Sequence, residues 1–163
     1  TSTLGRRKAP GFPHLSRDGS CLQEHRHTEL ALRRRGSHPK STWQLAGAGT
    51  VGSQALTGIP VVARLRADER FAERSRVWPF ETGLTSDPTG GRADAIVHAE
   101  VWPSMISFDR ERHAVKDAAQ VLCLAEHLAG LDRSDALGAL FAPSLPADIE
   151  QAVIDEEGWI LGA

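Results

Sequence analysis

AIVHAEVW, residues Ala95 to Trp102, is the run of this chain with the clearest strand character. Its β-branched and aromatic residues suit a pleated, half-buried surface, and Pro103 closes it because proline cannot donate to a sheet ladder. Glu100 is the anomaly within it. A carboxylate in an otherwise apolar strand needs a partner, so Glu100 is the first candidate for chemistry.

Working upstream, VWPFE (Val77 to Glu81) reads as a second strand, stopped by Gly83 and Pro88 and joined to the first by the glycine-rich connection SDPTGGRAD. Glu81 ends that strand much as Glu100 nears the end of the other. In open α/β sheets ligands collect outside the carboxyl ends of strands, which places both glutamates on one rim if the strands run parallel. An antiparallel pairing would separate them. The direction is open from sequence, because the connection is long for a hairpin and lacks an evident crossover helix.

Downstream, HAVKDAAQVLCLAEHLAG (His113 to Gly130) is the strongest helix, with Val115, Ala118, Leu122, Ala125 and Ala129 at helical spacing as its expected core stripe and Gly130 as its stop. A short helix from Ser134 to Phe141, another from Pro146 to Glu156, and the terminal EEGWILG follow. At the other end, residues 1–20 are rich in Gly, Pro, Ser and Arg and read as a loop edge, with residues 21–163 as a single domain. Cys21 to Gly36 reads as a helix whose Arg33, Arg34 and Arg35 suit the C-terminal dipole. Gly58-Ile59-Pro60 is expected to split the following apolar segment into two short helices.

The 163 residues are 40% apolar and 25% charged, near the globular average, which excludes wholesale disorder and collagen-like classes. No apolar run approaches the ~20 residues that cross a bilayer, so no membrane partner is expected and the cytoplasm is the default address. The chain starts at Thr1 and its one methionine is Met105, so we expect a fragment or a processed piece. Cys21 and Cys123 lie far apart with no C-x-x-C partner, against both a zinc knuckle and a disulfide scaffold. His25 and His27 fall on different faces of a helix, a poor arrangement for one zinc ion. The four tryptophans, Trp43, Trp78, Trp102 and Trp159, read as core or rim anchors.

Charge is polarised along the chain. Residues 1–40 carry nine Lys and Arg against three Asp and Glu, whereas residues 113–163 carry two against nine. A basic arm suits phosphates, and a nucleic acid is the partner this implies. Arginine outnumbers lysine sixteen to three, which a compositional habit explains equally.

Gly47, Gly49 and Gly52 stand in the G-x-G-x-x-G spacing that cradles a dinucleotide pyrophosphate. That loop needs a buried strand before it and an unbroken helix after it. The preceding STWQL is short and polar, and Gly58 and Pro60 are expected to cut the helix, so a tight turn with close backbone approach is the reading preferred here.

Taken in order, WQLAGAGTVGSQALTGIP (Trp43 to Pro60), VWPFETG (Val77 to Gly83), AEVWPS (Ala99 to Ser104), VKDAAQV (Val115 to Val121) and EEGWILG (Glu156 to Gly162) resemble the C-terminal portion of a bacterial domain family of unknown function described as predicted RNase H-like nucleases. The resemblance spans about residues 25–163. It implies an α/β fold, a partial RNase H-like domain with a mixed sheet flanked by helices, in which the first strands and an early aspartate belong to a missing N-terminal part. It also implies a carboxylate cluster holding Mg²⁺ or Mn²⁺ for phosphodiester cleavage. Some relatives of that family are linked to cobalamin or molybdopterin cofactor synthesis, for which no residue here supplies chemistry.

Within that expectation Glu100, Asp117, Glu81 and Asp135 are the candidate metal ligands, and Lys116 is placed to neutralise a phosphate oxygen. Two carboxylates at ~4 Å repel by ~4 kcal/mol at an effective dielectric near 20, which a divalent ion offsets. Each residue also has a plain structural reading. Asp117 suits a helix N-terminal dipole, Glu81 a turn hydrogen bond, Asp135 a helix N-terminal charge after Ser134, and Lys116 a solvated side chain.

Overall fold

The structure, a computed structural model, describes residues 25–41, Gln44 and 51–163. The protein is mixed α/β, with four α-helices and a two-stranded parallel sheet among the described residues. It divides into two compact units, Thr1–Ser75 and Arg76–Ala163. The division falls where the charge changes sign. Thirteen Lys and Arg against six Asp and Glu give the first unit a balance of +7, whereas six against fifteen give the second −9.

In the first unit, helix α1 spans His27–Arg34. Glu29 is buried because its carboxylate is matched locally: it accepts the Arg26 backbone N–H at 2.7 Å and the Arg26 guanidinium at 2.5 Å. Arg33 and Arg34 occupy the last turn and stand exposed, as the dipole favours, and Gly36 at φ +83° provides the left-handed turn that ends the helix. Residues 21–24 of the expected helix lie outside the described residues.

Helix α2 spans Gly52–Ala67 without interruption, so the expected split into two short helices is corrected. Pro60 lies inside it and forfeits one helical hydrogen bond, but its fixed φ is itself helical, and the turns on both sides carry the helix through. Past its end, Arg70 and Arg74 place their guanidinium carbons 5.1 and 5.8 Å from the Phe71 ring centroid. Of the glycine motif, Gly47 and Gly49 lie outside the described residues, while Gly52 is buried and its N–H donates to the Gln44 carbonyl at 3.2 Å.

Strand β1 (Ser75–Val77) and strand β2 (Ile96–His98) pair in parallel, with the Trp78 N–H donating to the His98 carbonyl at 3.0 Å. The expected strand Val77 to Glu81 therefore ends at its first residue. The Trp78-Pro79 peptide is cis and the chain turns immediately, with Glu81 N–H donating to the Val77 carbonyl at 2.9 Å. A parallel bridge between Glu100 and Ile160, marked by the Leu161 N–H to the Glu100 carbonyl at 2.9 Å, brings the C-terminal segment alongside.

The core of this second unit forms around that segment. Trp78, Phe141, Val153, Trp159, Ile160, Leu161 and Ala163 are buried. Trp78 meets Phe141 edge to face at 5.5 Å between ring centroids, and its indole N–H donates to the Phe141 carbonyl at 3.1 Å, so the one polar atom of a buried aromatic is satisfied. Trp159 does the same to the Ala163 carbonyl at 3.3 Å.

Helix α3 spans Lys116–Arg133 and approaches the 3-10 turns Pro103–Met105, Arg110–Arg112 and Leu137–Phe141. It runs past Gly130 and is capped by Ser134, whose hydroxyl donates to the Gly130 and Leu131 carbonyls at 3.1 Å. The expected core stripe is corrected here. Val115, Leu122, Ala125 and Ala129 are exposed and Ala118 half-buried, while the inward face is built on fully buried Ala119. Helix α4 (Ala147–Ala152) continues into a π turn over Val153–Glu157. No helix among the described residues is long and apolar enough to cross a membrane.

Candidate functional site

Two parallel strands leave their carboxyl ends at one edge, and the chain places a glutamate shortly after each. Glu81 sits in the turn after β1, where its Oε2 accepts the Val77 N–H at 2.6 Å. That bond locks the turn and points one carboxylate oxygen back at the strand end, the turn-forming role foreseen for it. Glu100 follows β2 with its backbone engaged by Leu161 and its side chain exposed. It is not the buried charge that an apolar strand suggested: β2 ends at His98, and Glu100 lies past it in an isolated bridge to Ile160 with its residue exposed.

Lys116 and Asp117 open α3, both exposed, with Asp117 in the first turn where the helix dipole favours an anion. Asp135 does not start a helix. It occupies the turn after α3 at φ +55°, with its N–H donating to the Asp132 carbonyl at 3.1 Å, and the next 3-10 turn begins at Leu137. The left-handed conformation is one that short polar residues such as Asp tolerate better than most. Among the described residues no group of three or more His, Cys, Asp or Glu side chains is arranged to hold a metal ion. The structure thus places Glu81 and Glu100 shortly after the ends of two parallel strands, and gathers neither Asp117 nor Asp135 with them into such a group.

One polar arrangement stood hidden in what reads as a plain connection. In SDPTGGRAD, Asp87 accepts the Thr89 hydroxyl at 2.5 Å, the Thr89 N–H at 3.0 Å and the Gly91 N–H at 2.8 Å. The Thr89 hydroxyl first, and then these backbone donors, hold the Asp87 carboxyl below its ordinary range. The D-P-T-G-G order was the available signal, since Asp followed by turn formers favours a side chain that bonds its own backbone. Its donors are consumed internally, so the loop is a self-contained scaffold. Behind it, a Cβ on Gly138 would lie 2.6 Å from the Ser86 carbonyl oxygen, so glycine is what permits the loop to seat against the 3-10 turn.

For Mg²⁺, the oxygen donors of Glu81 and Glu100 are of the right kind, since that ion is commonly held by one or two carboxylates and completes its shell with water. Glu81 has one of its oxygens engaged with the Val77 N–H. No family model, no curated protein and no solved structure matches this chain.

Proposed function

We propose that this chain is part of a metal-dependent phosphodiester hydrolase of RNase H-like type, with Glu100 as its principal ligand for Mg²⁺ or Mn²⁺ and Glu81 beside it. What supports the reading is the parallel direction of β1 and β2, with Glu81 and Glu100 each following the carboxyl end of a strand. A divalent ion bound there supplies Lewis-acid activation of the scissile phosphate and of the attacking water. The chain's own part is electrostatic and positional. Glu100 offers an exposed carboxylate on a backbone pinned by Leu161, and Lys116 offers an exposed ammonium for a phosphate oxygen.

Calorimetric titration of Mg²⁺ and Mn²⁺ into the chain, followed by cleavage assays on single- and double-stranded DNA and RNA, tests this. Glu100→Gln is expected to weaken metal binding at least tenfold, and Glu81→Gln less. Equal binding by wild type and Glu100→Gln removes Glu100 from the site.

A second reading, a non-enzymatic nucleic-acid-binding module, is favoured by the placement of the +7 balance within Thr1–Ser75. It differs in requiring no divalent ion and in weakening steeply with salt.

A further inference from the structure

Two helices, one from each unit, present apolar seams to solvent. On α3 the seam is Val115, Ala118, Leu122, Ala125 and Ala129, ending one step further at Asp132; Val115 is 58% and Leu122 43% exposed. On α2 it is Leu56, Ile59 and Ala63, ending one step further at Arg66; Leu56 is 66% and Ile59 67% exposed. Both seams advance by alternate steps of three and four residues, the spacing that keeps one stripe of a helix against a second helix. Side chains of this size left in water are unusual when they form a continuous stripe rather than single residues.

The two seams match each other. Laid side by side in the same direction, Leu56 stands level with Leu122, bulky Ile59 with small Ala125, Ala63 with Ala129, and Arg66 with Asp132. Arg64 and Arg66 lie in the last turn of α2, and Asp132 lies in the last turn of α3 beside Arg133. The units that carry them have balances of +7 and −9, so the charges favour contact of unlike units and disfavour contact of like ones.

We propose that the occupant of each seam is a second copy of this chain, in a two-fold dimer where α2 of each copy packs on α3 of the other. One helix pair of this length covers less than the ~800 Å² per partner of a standard interface. The reciprocal exchange doubles the contact and closes the assembly, where a single exchange would propagate into open chains.

Sedimentation equilibrium of the full chain over a wide concentration range is the test. The expected result is a reversible species of twice the 17.6 kDa chain mass, weakened by salt and at least tenfold by either Leu56→Glu or Leu122→Glu. Both positions are solvent-facing, and unchanged near-ultraviolet dichroism confirms that each variant keeps its fold. In a Cys21→Ser, Cys123→Ser background, mixing Leu56→Cys chains with Leu122→Cys chains is expected to give a disulfide-linked heterodimer. A monomer at every concentration overturns the proposal, as does a dimer indifferent to both glutamate variants. So does a Leu56→Cys, Leu122→Cys chain that bridges internally at monomer mass, since the seams would then serve one another within a single molecule.

Discussion

Asp68, just past the end of α2, owes its perturbed carboxyl to one neighbour, Arg70. Its carboxylate accepts the Arg70 Nε–H at 2.9 Å and a second guanidinium N–H at 2.7 Å, and also accepts the Arg70 backbone N–H at 3.0 Å. The side-chain bonds to Arg70 first, then the backbone bond, lower its pKa from 3.8 to about 2. A depressed carboxyl contributes stability above its unfolded value and loses it as pH falls through the folded one, so this contribution disappears between about 4 and about 2. The pair is solvent-exposed, and its effect on global stability is small. NMR titration of the Asp68 carboxyl carbon is therefore expected to show a midpoint near 2, returning toward 3.8 in Arg70→Ala. A midpoint unmoved by that substitution would mean the ion pair is not populated in solution.

At the scale of single elements, the close approach at Gly138 and the satisfied indole of Trp78 are the points where small changes act most strongly. Gly138→Ala drives a methyl to 2.6 Å from the Ser86 carbonyl oxygen, a backbone atom that cannot swing aside. Overpacking of this kind costs about 1–3 kcal/mol, and the loss is expected in denaturant unfolding at unchanged m-value. Trp78→Phe keeps an aromatic ring against Phe141 but withdraws the donor to its carbonyl and leaves unfilled volume, for an expected loss of about 1–3 kcal/mol. A loss below about 0.5 kcal/mol would show that the indole bond and the fit are dispensable. These elements differ in how far they were legible. The existence of the α3 helix and the strand at Ile96–His98 could be read from spacing and β-branched residues. The inward face of α3 could not, because apolar residues line both sides and periodicity marks a stripe without naming its neighbour. The continuity of α2 is not legible from Gly58 and Pro60, because a proline's penalty is local whereas a helix is held by the turns on both sides.

For the whole molecule, the decisive pattern is the change of charge at the boundary between Ser75 and Arg76. A chain with a near-neutral total of −2 behaves, in its field, as a strongly basic half joined to a strongly acidic one. Binding to a single-stranded oligonucleotide, followed by fluorescence anisotropy, is expected to weaken steeply between 50 and 200 mM salt without divalent ions, by roughly tenfold or more if several phosphates are engaged. Replacing Arg33, Arg34 and Arg35 by glutamine is expected to flatten that dependence. Salt-independent binding, or none, counts against the nucleic-acid-binding reading and leaves the metal titration at Glu100 unaffected.

Composition, charge distribution and residue spacing settled by themselves that the chain mixes helices with short strands, that its charge is polarised along its length, and that a glutamate stands near the end of each of two strand-like segments. These are local quantities, carried by residues near one another in the chain. Only the tertiary structure decided that the strands run parallel, that Glu81 turns one carboxylate oxygen back on its own turn, that Asp135 lies in a left-handed turn, and that the apolar stripe of α3 faces solvent. Each of those depends on which distant segment supplies a hydrogen-bond partner or a packing surface, and such partners, like Ile160 beside Glu100 and Phe141 beside Trp78, are brought together by folding.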